Sequence, residues 1–78
     1  MASSLIEDVR AARRLPEPEE ARFLRRAAGL TQRQIADELG VSALTVTRWE
    51  AGTHRPQPRH RAAYARVLDE LRREVSAI

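Results

Sequence analysis

Arg48, Thr47, Thr45, Leu44 and Ala43 fall within one short run, SALTVTRWE, residues 42–50. Val46 and Trp49 stand three apart in the same run, a spacing that turns both to one face of a helix, the inward one. What remains outward is Ser42, Ala43, Leu44, Thr45, Thr47 and Arg48. This set is poor in groups that make or break bonds and suited to recognition. In a duplex major groove, Ala43 and Leu44 fit thymine methyls, and the Arg48 fork fits the O6 and N7 acceptors of guanine. Thr45, Thr47 and Gln32 are short polar groups able to reach phosphate oxygens.

The chemistry of catalysis finds no footing. Thr45 and Thr47 have no histidine at helical spacing, and the chain carries no glycine-rich phosphate loop or carboxylate pair. Cysteine is absent, which removes disulfides, thiolate zinc sites and thiol nucleophiles. His54 and His60 are separated by prolines and lack a carboxylate cluster to complete a metal site. They are expected to be solvated or close to phosphates. The chain is read as a non-enzyme without cofactor or metal. The N-terminal MASSLIEDVRAARR has no long apolar run, so neither a signal peptide nor a membrane span is expected, and the location is expected to be cytoplasmic, on the nucleoid.

Charge distribution agrees with a polyanionic partner. All 14 basic residues are arginine, and the net charge is +3. Residues 1–20 mix five acids with three arginines. Residues 51–66 hold Arg55, Arg59, Arg61, Arg66, His54 and His60 and no acid. Such a rim suits phosphates. Arg59 and Arg61 also sit at the start of a helix, where the dipole opposes a cation and a nearby anion relieves the cost.

The elements that must position these groups are all helical. The 78 residues allow one small domain. A first helix is expected over 3–14, capped by Ser3 or Ser4, with Leu5, Val9 and Ala12 as its apolar stripe and Glu7 and Asp8 near its start. Pro16 and Pro18 break the chain, and a second helix follows over 18–28, with Ala21, Leu24 and Ala28 on one face and Phe23 and Ala27 beside it. Gly29 ends it. Thr31 and Gln34 form a T-x-x-Q capping box for the third helix, whose buried face is Ile35, Ala36 and Leu39. Gly40-Val41-Ser42 is then a turn short enough to force the third and fourth helices to cross steeply. Ala36 is the small residue the crossing needs. Gly52 ends the fourth helix, and residues 53–58 are a loop. The last helix spans 59–76 with the stripe Tyr64, Val67, Leu68, Leu71 and Val75. Its tail, from Leu71 to Ile78, is a candidate subunit interface.

With the motifs in place, the run RRAAGLTQRQIADELGVSALTVTRWEAGTHRP, residues 25–56, resembles the Xre-type, phage-repressor-like helix-turn-helix proteins of bacteria and phages. A-G-L-T-Q, I-A, L-G-V-S, T-V-T-R-W-E-A-G and R-P follow one another without gaps. The resemblance implies an all-α, lambda-repressor-like five-helix DNA-binding domain, here over 17–78, with residues 1–16 as an extra helix or arm. It implies a transcriptional regulator, a repressor, on double-stranded DNA, acting as a homodimer. By position, Ala43, Leu44, Thr47 and Arg48 contact bases. Thr31, Gln32, Ser42, Thr45, Arg55, Arg59 and Arg61 contact phosphates, and Arg25 and Glu50 form a structural ion pair. Many family members place glutamine where Ala43 and Leu44 stand, so Arg48 and DNA shape carry more of the readout here. The alternatives are a DNA-binding antitoxin with a protein partner, an excisionase-like architectural factor, and a protein-only helical adaptor.

Overall fold

The computed structural model describes residues 4–77. The chain folds as five helices: α1 Ser4–Arg14, α2 Pro18–Ala27, α3 Gln32–Leu39, α4 Ala43–Ala51 and α5 Pro58–Ser76. No strand occurs among the described residues. The expected caps at Ser3 and the chain end at Ile78 lie outside them.

Local chemistry sets most of the boundaries. Pro18 and Pro58 each occupy the first turn of a helix, where the missing N–H costs nothing, so α5 begins inside what reads as loop. Thr31 Oγ1 accepts from the Gln34 amide while the Gln34 side chain accepts from the Thr31 amide, the reciprocal box that starts α3. Ser42 Oγ accepts from the Thr45 amide at 3.1 Å and starts α4. The end of α3 is a left-handed glycine. Gly40 has φ +69, its amide reaches Asp37 O, and the Val41 amide returns to Ala36 O at 3.0 Å. Paired bonds of this kind also close α2 at Gly29–Leu30 and α4 at Gly52–Thr53.

One core joins the helices. Ala21 and Leu24 of α2, Ile35 and Ala36 of α3, Val46 and Trp49 of α4, and Tyr64 and Leu68 of α5 form a single buried cluster. Leu15, Leu39, Val67 and Leu71 pack around it. The Trp49 and Tyr64 rings lie 4.8 Å apart, tilted by 40°. Trp49 is therefore a core residue, and its ring is not free to stack on a base. The long α5 lies against α1, α2 and α3.

Two expectations about packing fail. The α1 stripe is not Leu5, Val9 and Ala12, all of which are exposed, Leu5 at 71%. The inward line runs through Asp8, Ala11 and Leu15, with Ala11 fully buried. Both lines have helical spacing. Alanine permits the close approach of α1 to α5, and the Arg14–Asp69 contact at 3.8 Å ties the same face. Phe23 is likewise not beside the core: it is 62% exposed on the outer side of α2. Ala21, Leu24 and Arg25 set the inner side, and Phe23 lies out of their line.

Candidate nucleic-acid interface

The α3–turn–α4 unit is locked by Ala36, which is fully buried and lets the two helices touch. Val46 and Trp49 anchor α4 from below, so its rotation about its own axis is fixed. That rotation turns Leu44, Thr47 and Arg48 outward. Leu44 is 55% exposed, so its side chain is free to meet a partner surface. Ala43 and Thr45 are half-buried, and the Ala43 methyl packs partly on the core.

Behind this face runs a chain of hydrogen bonds. Glu50, whose side chain is 3% exposed, receives Arg25 Nε at 2.7 Å and Arg25 Nη2 at 2.9 Å. Arg25 Nη1 donates to Leu30 O at 2.8 Å, so the guanidinium ties the end of α2 to the end of α4. The Glu50 hydrogen bond, first of all, raises the Arg25 pKa further and keeps it charged. Burial, then the Glu50 charge, pushes the neighbouring Tyr64 hydroxyl upward and keeps it neutral. Glu50 Oε1 also accepts from Gln32 Nε2 at 3.1 Å. A carboxylate only accepts, so the Gln32 amide must present nitrogen to Glu50 and oxygen to Thr47. Thr47 Oγ1 lies 2.6 Å from Gln32 Oε1 and 3.0 Å from Ala43 O. Its single proton is shared between two acceptors, which fixes the Thr47 rotamer on the outward face.

The Arg25–Glu50 pair is the one the resemblance implies, but the sequence does not reveal its extension through Gln32 to Thr47, because α3 and α4 meet there only after folding. That extension makes Gln32 the common neighbour of Glu50 and Thr47. Gln32 retains one N–H for a further acceptor. Thr31 remains exposed beside it at the start of α3, its hydroxyl engaged in the cap.

On the other side of α4 a groove of about 650 Å³ separates the α3–α4 turn from the start of α5. Ser42, Thr45, Arg48, Arg55 and Arg59 line it, together with both histidines. Ser42 Oγ and Thr45 Oγ1 are 2.9 Å apart. Arg59 Nε donates to His60 Nε2 at 3.2 Å, and the His60 ring lies 6.1 Å from Trp49. Arg61 is turned away, half-buried in a neighbouring hollow with Glu17. The acid-free rim of residues 51–66 already sets His54 and His60 among arginines, and the fold adds Arg48 of α4 to them in one groove. Their spacing of six carries no helical signal across prolines.

Among the described residues, no group of three or more His, Cys, Asp or Glu could hold a metal ion, and no helix is long and apolar enough to cross a membrane. A family model described as Helix-turn-helix matches residues 22–74, from α2 to near the end of α5. Neither the curated proteins nor the solved structures give a match.

Proposed function

The chain belongs to the Xre-type helix-turn-helix family of DNA-binding proteins, and from that premise we propose that it is a small sequence-specific regulator of transcription, a repressor working by occupancy. The observation that carries this is the outward face of α4. Leu44, Thr47 and Arg48 are exposed on a helix whose flank is an arginine-lined groove without acids. In this reading α4 enters the major groove. Arg48 takes a guanine edge, and Leu44, with the margin of Ala43, meets thymine methyls. Thr47, held by Gln32, presents its methyl beside them.

Phosphates on one side meet Ser42, Thr45, Arg55 and Arg59, and on the other the α3 start at Thr31 and Gln32. Arg61 supplies longer-range attraction from its hollow. Two copies would cover half-sites roughly 34 Å apart, one turn of duplex. Exposed Leu5, Val9 and Phe23 offer apolar surface for a second copy. The same side chains support a second reading, a DNA-binding antitoxin that also covers a toxin protein, and co-purification with a partner separates the two. The site of action would be the cytoplasm.

The phosphate assignments are tested by the salt dependence of binding to a random-sequence duplex, followed by fluorescence between about 50 and 200 mM salt. Arg55→Ala and Arg59→Ala should each make the slope of log K against log salt shallower by about 1. An unchanged slope in both variants would remove these two arginines from the interface.

A further inference from the structure

The groove between the α3–α4 turn and α5 gathers Arg48, His54, Arg55, Arg59 and His60, and no carboxylate lines it. The groups facing His60 are all basic or uncharged. Arg48 and the Trp49 ring come from α4, His54 and Arg55 from the loop, and Arg59 from α5. Glu50, next to Trp49 in the chain, is held by Arg25 and Gln32 instead. Glu17, the one acid lining either hollow, faces the neighbouring one with His54, Arg55 and Arg61.

Arg59 Nε–H donates to His60 Nε2 at 3.2 Å. That bond needs a free lone pair on Nε2, hence an imidazole not protonated there. His54 Nδ1 lies 3.2 Å from Thr53 Oγ1, a contact it can make as donor or acceptor. An anion in the groove would give both rings a partner of opposite charge. Arg59 can leave His60 for the anion, and His60, once protonated, becomes a second donor to it.

We propose that this groove is a proton-coupled phosphodiester site: a backbone phosphate of bound duplex enters it as His60, seconded by His54, takes up a proton. This rests on the DNA-binding reading above. The complex then holds more protons than the free components, so lowering pH favours the complex. Histidine is the side chain that changes charge between about pH 5 and 8, so the effect falls in that window. DNA affinity thereby becomes a readout of acidity.

The test is the affinity of the full chain for a random-sequence duplex of about two helical turns, at pH 6 and pH 8 and one fixed low salt concentration. Proton uptake is measured in parallel by calorimetry in buffers of different ionisation enthalpy. The proposal expects about tenfold tighter binding at pH 6, the equivalent of one pKa unit of coupling, with net proton uptake. His60→Gln keeps an acceptor for Arg59 but does not titrate, so the pH 6 to pH 8 affinity ratio should collapse toward one. His54→Gln should reduce it less. Thermal melts confirm that both variants fold. Equal affinity at the two pH values with no proton uptake overturns the proposal, as does a wild-type ratio retained by the His54→Gln/His60→Gln double variant. Absence of duplex binding at both pH values overturns the DNA reading itself and this proposal with it.

Discussion

Arg25→Ala is expected to cost about 3–5 kcal/mol of folding stability, because it leaves the Glu50 carboxylate buried without its counter-ion. The Glu50 side chain is 3% exposed and that of Arg25 is 11% exposed, so the pair lies largely away from solvent. The Leu30 carbonyl loses its donor in the same step. Domains of this size have about 5–15 kcal/mol in total, so the variant should be near its unfolding threshold at room temperature. Arg25→Lys should recover only part of the loss. An ammonium cannot donate to both Glu50 oxygens and Leu30 with the planar fork geometry. Denaturant titration of the three proteins gives the result directly. A loss below about 1 kcal/mol for Arg25→Ala would mean the pair behaves as a surface salt bridge.

Arg48→Ala is expected to leave stability within about 0.5 kcal/mol, since the side chain is exposed and outside the core. Its effect should be on recognition. A guanidinium bidentate to guanine contributes about 1–3 kcal/mol of discrimination at one base pair. Affinity for the preferred duplex should therefore fall, while duplexes altered at that one pair should be barely affected. Competition binding with a set of single-base variants measures this. Uniform weakening across the set would make Arg48 a phosphate contact, a role open to it because it also lines the basic groove.

Features written in local sequence were legible before folding. Thr31 and Gln34 specify their capping box within four residues, and Gly40 ends α3 because the turn needs positive φ. Val46 and Trp49 announced the buried side of α4 by spacing alone. Helix α1 was not legible in the same way, since both Leu5-Val9-Ala12 and Asp8-Ala11-Leu15 have helical periodicity. Contact with α5 selected the less hydrophobic line. Phe23 misleads for the same reason: residue type does not set helix rotation. The candidate site divides likewise. The outward set on α4 follows from subtracting its core residues. The Arg25–Glu50 pair follows from the resemblance, whereas its extension through Gln32 to Thr47 and the gathering of His54, His60 and Arg59 in one groove depend on tertiary approach of separate elements.

We propose above all that the outward face of α4 reads DNA sequence. Selection of random duplexes by the purified protein at about 150 mM salt, followed by sequencing of the retained pool, tests it most directly. The expected result is enrichment of one motif containing a guanine read by Arg48, repeated as two half-sites one helical turn apart. Retention without any enriched motif, vanishing as salt is raised, would reduce the interaction to phosphate attraction and contradict the claim.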